Sequence, residues 1–87
     1  MDSVIISFDP AAFQDYNSWA AEDSKVFRRI GDLIRDICRD PFKGLGKPEP
    51  LKYNLAGYWS RRITDEHRLV YKYTDKVVYM VSCKFHY

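Results

Sequence analysis

The sequence predicts an α+β fold in which two N-terminal helices pack on one face of a small, mostly antiparallel, twisted β-sheet. Apolar residues recur at helical spacing in the first half of the chain, whereas the second half contains β-rich segments separated by short turns. The 87 residues suit one compact domain, 1–87. With 46% hydrophobic and 16% aromatic residues, the composition is typical of a folded chain with a real core.

The first elements are predicted to be a strand and a helix. Residues 4–8 suit a short strand, and Asp9-Pro10 then supplies a helix N-cap followed by proline at the first helical position. A break near residues 22–24 ends this helix. Its apolar face is expected to consist of Phe13, Tyr16 and Ala20, which recur at helical spacing.

A second helix is predicted by a stronger apolar pattern. The opposite side of this pattern is rich in arginine and aspartate, which we expect to be solvated. Asp40-Pro41 ends the helix, because proline disfavours helical geometry in the residue before it. The buried face is expected to consist of Val26, Ile30, Leu33, Ile34 and Ile37.

The rest of the chain is predicted to be a loop followed by a β-meander. Residues 41–50, PFKGLGKPEP, suit a loop that its prolines keep partly extended. Three β-rich segments follow near residues 58–64, 67–73 and 77–85, with short turns between them. Segments joined by short turns pair antiparallel, so one face of the sheet is expected to pack on the helices and the other to stay free.

The free face of the sheet is predicted to collect cationic side chains. Side chains alternate along a strand, so Ser82, Lys84 and His86 are expected to share one face of the last strand. A turn centred on Asp75 would pair Arg68 with Ser82 and add Arg68 to that face. The pattern therefore predicts a cluster of arginine, lysine and histidine.

Two other segments can contribute to this face. A two-residue loop at positions 65–66 would put Arg61 on it, whereas one bulged residue would put Arg62 there, and the pattern leaves both open. The extended loop carries Glu49 and Lys52, and it can cross the edge of the sheet to face the cationic cluster. A carboxylate would then meet the arginine and the histidine.

A carboxylate, a guanidinium and an imidazole on one face suit RNA cleavage without a metal ion. A base takes the proton of the 2′-hydroxyl, which attacks the adjacent phosphate, and an acid protonates the departing 5′-oxygen. Glutamate suits the first role and histidine the second, while arginine stabilises the charge on the phosphorane oxygens. We expect neither a metal nor another cofactor.

The charge distribution favours a polyanionic partner such as nucleic acid, or an acidic protein. The net charge is only +2, but residues 25–87 contain fourteen basic and seven acidic residues and so carry +7. No apolar run approaches the ~18 residues that cross a bilayer, and the N-terminal segment lacks the features of a signal peptide. We therefore expect a cytoplasmic protein.

Three segments form a specific combination, namely GLGKPEPLK at residues 44–52, GYWSRRITDEHRLVY at residues 57–71, and the terminal pair His86-Tyr87. Together they resemble the YoeB branch of the RelE/ParE toxin superfamily, and the order of helices and strands agrees throughout the chain. The resemblance implies a RelE-like fold, similar to that of microbial ribonucleases. It also implies a ribosome-dependent endoribonuclease that cuts messenger RNA in the A site of the small subunit and so inhibits translation.

The resemblance implies a role for each residue that matches the family motifs. Glu49 would be the general base, His86 the general acid, and Arg68 the group that stabilises the phosphate. Tyr87 would position or stack on the substrate. Lys52 and Arg62 would be supporting cations at the scissile bond. Apart from the resemblance, the basic residues that we expect to bind ribosomal and messenger phosphates are Lys52, Arg62, Lys72 and Lys84.

The resemblance favours Arg62 over Arg61 on the free face. It also implies an antitoxin partner, similar to YefM, that is acidic and partly disordered until bound. Pairing of two copies is common in the family.

Two other functions compete with the nuclease. One is a non-catalytic basic domain that inhibits translation by binding ribosomal RNA. The other is a toxin of related fold that acts on DNA gyrase, but such relatives lack the glutamate loop and the terminal His-Tyr pair.

Overall fold

In the computed structural model, the described residues, 3–84, form two helices that pack on one face of a five-stranded sheet. The strand order is β1-β5-β4-β3-β2, with β1 parallel to β5 and the other pairs antiparallel. The predicted α+β fold is confirmed. The elements are β1 (Ile5–Phe8), α1 (Pro10–Glu22), α2 (Ser24–Arg39), β2 (Glu49–Pro50), β3 (Trp59–Arg62), β4 (Arg68–Thr74) and β5 (Val77–Ser82).

The two helices differ in how their first turns are capped. Asp9 occupies the N-cap position of α1, but within the described part of the chain its side chain makes no capping hydrogen bond. Asp23 caps α2, because its carboxylate accepts hydrogen bonds from the backbone N–H groups of Lys25 at 3.0 Å and Val26 at 3.3 Å. The break predicted near residues 22–24 is therefore the N-cap of the second helix.

The predicted apolar face of α1 is confirmed for Tyr16, which packs against the core, but is wrong for Phe13 and Ala20, whereas that of α2 is confirmed. In α1 the buried residues are Ala12 and Trp19, while Phe13 and Ala20 are exposed. Trp19 turns inward because its indole N–H donates to the backbone oxygen of Cys83 at 2.8 Å, which satisfies its polar atom inside the core. The α2 residues buried against the sheet are those predicted, Val26, Ile30, Leu33, Ile34 and Ile37.

The last hairpin differs from its predicted register. The turn consists of Asp75 and Lys76, both at positive φ, with values of 52° and 64°. It pairs Thr74 with Val77 and Tyr71 with Met80, but Val70 pairs with Ser82. The predicted pairing of Arg68 with Ser82 is therefore wrong.

A β-bulge at Val81 causes the change of register in β5. Because Val81 has no partner in β4, the strict alternation predicted for this strand breaks there. Val78 and Met80 are fully buried against the helices, and Cys83 is also buried. Ser82 instead lies on the free face beside Val70.

Neither of the two helices described here has the length and the apolar composition that a membrane span requires.

Candidate functional site

The face of the sheet opposite the helices, called the free face below, presents side chains in rows that cross the strands. One row joins Glu49, Ser60, Val70 and Ser82, because the registers of four neighbouring strands align them. We call it the Glu49 row. Paired residues point to the same side of a sheet, so all four side chains lie on the free face. Glu49 is the acid in this row and is exposed to solvent.

The next row along the strands consists of two arginines. Arg62, the last residue of β3, pairs directly with Arg68, the first residue of β4. Diagonal neighbours on adjacent strands have Cα atoms about 7–8 Å apart, so Arg62 lies within side-chain reach of Glu49. Glu49, Arg62 and Arg68 form the candidate site. Arg62 rather than Arg61 lies on the free face, which settles the alternative that the pattern had left open.

Glu49 reaches this position because the chain crosses the edge of the sheet as a short strand. Glu49 pairs with Ser60 and Pro50 with Trp59, and the N–H of Leu51 donates to Tyr58 O at 2.9 Å. Proline suits this edge because its missing N–H is not needed there. The predicted crossing of the sheet edge is confirmed for Glu49.

Lys52 occupies a different position from Glu49. It is the N-cap residue of a short 3-10 helix at Tyr53–Leu55, and its side chain is exposed. It therefore lies beyond the end of β2, along the same edge of the sheet. Its predicted contact with RNA phosphate stays a prediction.

A buried arginine fixes the loop that leads to Glu49. Arg61 is 0% exposed and points to the helix side of the sheet, opposite to Arg62. Its Nη1 donates to Asp36 Oδ2 at 2.6 Å, and its Nε donates to the hydroxyl of Tyr71 at 3.1 Å. Its other acceptors are the backbone oxygens of Asp40 at 2.6 Å, Lys43 at 3.2 Å and Leu45 at 3.2 Å.

The carboxylate of Asp36 completes this anchor from α2. Hydrogen bonds from Arg39, from the backbone N–H of Leu45 and from Arg61 hold the pKa of Asp36 well below its ordinary value of 3.8. Gly44, at a φ of +129°, lies against it, and a Cβ there would be 2.0 Å from Asp36 Oδ2. The loop therefore requires glycine where it passes over the carboxylate.

Sequence reasoning considered Arg61 only as a competitor for the free face and missed this anchoring role. The signal was present, because consecutive residues of a strand point to opposite faces. If Arg62 faces the site, Arg61 must enter the core. A buried arginine requires a carboxylate and several carbonyl acceptors, and the second helix supplies Asp36 at its polar margin.

Arg68 is held by the hairpin loop that precedes it. Its Nη1 donates to the backbone oxygens of Thr64 at 2.8 Å, Asp65 at 3.2 Å and His67 at 3.2 Å. Among residues 3–84, no carboxylate forms an ion pair with Arg68, and its Nε and Nη2 make no hydrogen bond. The side chain is thus fixed at one nitrogen, while the rest of the guanidinium remains available for a ligand.

His67 lies on the other side of the sheet from Arg68, as predicted. Its ring contacts the ring of Trp19 edge to face, with centroids 4.8 Å apart. This histidine therefore belongs to the packing between α1 and the sheet.

The prediction that Lys84 shares the free face with Arg68 is wrong. Its Nζ lies 3.3 Å from Glu22 Oε2 and 5.1 Å from the centroid of the Trp19 ring, both on α1. Lys84 lies in the bend that follows β5, where the alternation of the strand no longer applies, and its side chain turns toward the helix. A contact between Lys84 and RNA phosphate would require the ammonium to leave Glu22.

His86 and Tyr87, the predicted acid and stacking residue, lie outside the described residues. Ser82 stands four positions before His86 in the sequence and belongs to the Glu49 row.

Within residues 3–84, no group of three or more histidine, cysteine or acidic side chains could hold a metal ion.

Comparison with known proteins identifies relatives that match most of the chain. A family model, the YoeB-like toxin of the bacterial type II toxin-antitoxin system, matches residues 8–87. Toxin YoeB of Streptomyces coelicolor is 58% identical over 82 residues, which are 94% of this chain and 98% of the relative.

Solved structures from Staphylococcus aureus are also similar. The YoeB dimer matches with a TM-score of 0.92 at 46% identity, over 99% of this chain and 100% of that one. A chain of the heterotetrameric YoeB–YefM toxin–antitoxin complex matches with a TM-score of 0.89 at 46% identity, again over 99% and 100%.

Proposed function

The chain belongs to the YoeB-like toxins of bacterial type II toxin-antitoxin systems, and we propose that it is a ribosome-dependent endoribonuclease that cleaves messenger RNA in the A site. The observation that carries the proposal is the position of Glu49 beside two arginines, Arg62 and Arg68, on one face of the sheet. A base and two phosphate-binding cations are what cleavage by internal attack requires on one side of a phosphodiester.

The proposed reaction is a metal-independent transesterification. Glu49 takes the proton of a ribose 2′-hydroxyl, and the 2′-oxygen forms a bond to the adjacent phosphorus. The bond from phosphorus to the 5′-oxygen breaks, and His86 donates a proton to that oxygen. The products are a 2′,3′-cyclic phosphate and a 5′-hydroxyl. Arg68 binds the non-bridging oxygens, whose negative charge increases in the transition state.

The dimensions of the sheet support this division of roles. Glu49 and Arg68 are two strands apart and two residues apart along the strands, which corresponds to about 12 Å between their Cα atoms. Both side chains are long enough to approach a phosphodiester from opposite sides. His86 follows Ser82 by four residues, and four residues span at most about 14 Å, so the chain permits His86 to reach the same phosphate.

The proposal gives the remaining groups supporting roles. Arg62 adds a second guanidinium beside the phosphate, and Lys52 supplies a cation at the edge of the sheet. Tyr87 would stack on or position the substrate, as aromatic side chains do with unpaired RNA bases. We place the activity in the cytoplasm, where the ribosomes that it requires are found.

We also propose that an acidic antitoxin binds this chain and that two copies can associate. The related protein of S. aureus occurs as a dimer and in a complex with YefM. The net charge of +7 on residues 25–87 supports an acidic partner, because opposite charges steer association. An antitoxin segment that orders on binding would suit the free face.

The proposal is tested by primer extension on messenger RNA in a reconstituted translation reaction. Wild type is expected to cut A-site codons, while Glu49→Ala and His86→Ala each lose roughly 10²–10⁴ in rate. Arg68→Lys keeps the charge but loses the planar pair of donors, so it is expected to cut slowly. Glu66→Ala, in the exposed hairpin loop, is the matched control and should cut like wild type.

The alternative is a non-catalytic domain that blocks translation by binding ribosomal RNA. The excess of cations over acids on the free face is the observation that favours it. Arrest of translation without cleavage, equal in wild type and in the Glu49 and His86 variants, would establish this alternative and overturn the nuclease.

A further inference from the structure

A third row on the free face lies beside the Glu49 row, on the side away from the arginines. Lys72 of β4 pairs with Tyr79 of β5. Continuing the register of β3 and β4 by one residue beyond Trp59 and Tyr71 puts Tyr58 on the other side of Lys72. Lys72 is two residues from Val70, so this row and the Glu49 row are about 7 Å apart on the same face.

The ammonium of Lys72 is held between the two tyrosine rings. Its Nζ lies 5.4 Å from the centroid of Tyr58 and 5.6 Å from the centroid of Tyr79. Both distances are within the range at which the ring quadrupole attracts a cation. Two rings on opposite sides restrict a side chain that is otherwise flexible, so the positive charge has a defined position on the sheet.

The charge of Lys72 is not neutralised in the described part of the chain. No carboxylate of residues 3–84 lies within 4.0 Å of its Nζ. Lys84 differs, since its ammonium is paired with Glu22. Aromatic rings hold a cation without cancelling its charge, which leaves Lys72 able to bind an anion.

Cations therefore flank the acid row on both sides. Arg62 and Arg68 lie on one side of the Glu49 row and Lys72 lies on the other, each offset from that row by about 7 Å along the strand direction. An RNA strand that follows the β-strand direction would meet an arginine, the acid and then a lysine. This spacing suits a chain with one phosphate per nucleotide.

We propose that Lys72, positioned by Tyr58 and Tyr79, binds an RNA phosphate next to the cleaved bond. The inference rests on the proposed function, since it extends the RNA path from the candidate site. Lys72 is the binding residue, and the two tyrosines are positioning residues that act through it. The phosphate belongs either to messenger RNA or to ribosomal RNA, and the two sources require separate measurements.

The test compares Lys72→Met with Lys25→Met in binding to purified ribosomes. Both changes remove one positive charge and keep an unbranched side chain, but Lys25 is exposed at the start of α2, on the helix side of the sheet. One set of ribosomes carries messenger RNA through the A site, with a 2′-deoxyribose at the scissile nucleotide to prevent cleavage. The other carries messenger RNA that ends in the P site.

Lys72→Met is expected to weaken binding about tenfold, the effect of losing one charge-assisted hydrogen bond. The slope of log K against log salt should fall by about 0.7, because one phosphate contact is lost. A loss confined to ribosomes with a filled A site identifies a messenger phosphate, and an equal loss on both sets identifies a ribosomal one. Affinity and slope equal to those of wild type on both sets, or equal losses in Lys25→Met, would overturn the proposal.

The tyrosines are tested by a double-mutant cycle. Tyr79→Leu should weaken binding, Tyr79→Phe should restore it because the ring is kept, and Tyr79→Leu should have no further effect in the Lys72→Met background. An effect of Tyr79→Leu that is equal in both backgrounds would show that the ring does not act through Lys72.

The inference and the proposed function fail in different ways. If wild type leaves messenger RNA intact but Lys72→Met still weakens ribosome binding, the nuclease is wrong and the phosphate site stands. If wild type cuts messenger RNA but Lys72→Met binds like wild type, the nuclease stands and the phosphate site is wrong.

Discussion

Replacing Arg61 by methionine is expected to lower the free energy of unfolding by about 3 kcal/mol, because breaking a buried ion pair from one side typically costs about 3–5 kcal/mol. The lower end applies here because Asp36 keeps its hydrogen bonds from Arg39 and from the backbone N–H of Leu45. Leu45 and Lys43 are exposed, so their carbonyl groups can turn to water once the guanidinium is gone. For a domain of this size, about 3 kcal/mol is a large part of the total stability.

The matched control is Arg62→Met, which changes the neighbouring residue on the opposite face. Arg62 is exposed, so its replacement should change the free energy of unfolding by less than about 0.5 kcal/mol. Cleavage rates at a saturating protein concentration are expected to show the reverse order. Arg62→Met should cut more slowly than Arg61→Met, because it loses a phosphate contact. Urea unfolding followed by the fluorescence of Trp19 and Trp59 measures the stability of each.

Equal stability of the two variants would refute the anchoring role of Arg61. A loss of less than about 1 kcal/mol in Arg61→Met would do the same, since an exposed arginine costs no more than that. Asp36→Asn tests the same ion pair from the other side, because it removes the carboxylate and keeps the arginine.

Three further predictions concern the same fold. Gly44→Ala should lower the free energy of unfolding by about 1–3 kcal/mol in urea titrations, because φ is +129° and the new Cβ would collide with Asp36; no change would show that the loop moves freely. Because folding lowers the pKa of Asp36, this carboxylate stabilises the fold above its ordinary pKa of 3.8, and the contribution is lost as the pH falls toward the folded pKa. The free energy of unfolding, measured from about pH 5 down to pH 2, should therefore depend less on pH in Asp36→Asn than in wild type. Parallel curves for the two proteins would contradict this. Trp19→Phe should cost about 1–3 kcal/mol in thermal or urea unfolding, since it leaves the buried Cys83 carbonyl without its donor at 2.8 Å, and a neutral effect would argue against that bond.

The second helix and the meander could be predicted from the sequence because their patterns are strong and local. Five apolar residues at helical spacing marked the buried face of α2, and Pro41 marked its end. The face of α1 could not be predicted, since several aromatic residues compete in that segment. Contact with a distant residue, Cys83, decided that Trp19 rather than Phe13 enters the core.

The candidate site was predicted in part, for a related physical reason. Glu49 and Arg68 lie on the free face as expected, because prolines and short turns constrain the backbone near them. The alternation of side chains along the last strand does not show where the bulge at Val81 lies. One unpaired residue reverses the face of the sheet to which later residues of the strand point. That reversal brings Ser82 to the free face beside Val70, whereas Lys84 lies in the bend after β5 and contacts Glu22 on α1 instead of the arginines.

Internal attack by a ribose hydroxyl is tested most directly by one substitution in the substrate. Ribosomes are prepared with messenger RNA that has either ribose or 2′-deoxyribose at the scissile nucleotide of the A-site codon, and cleavage by wild type is followed in a single turnover. The proposed reaction predicts cleavage of the ribose form to a cyclic phosphate and no cleavage of the deoxyribose form at that bond. Cleavage of both forms at the same bond would contradict the role of Glu49 as the base that activates a 2′-hydroxyl.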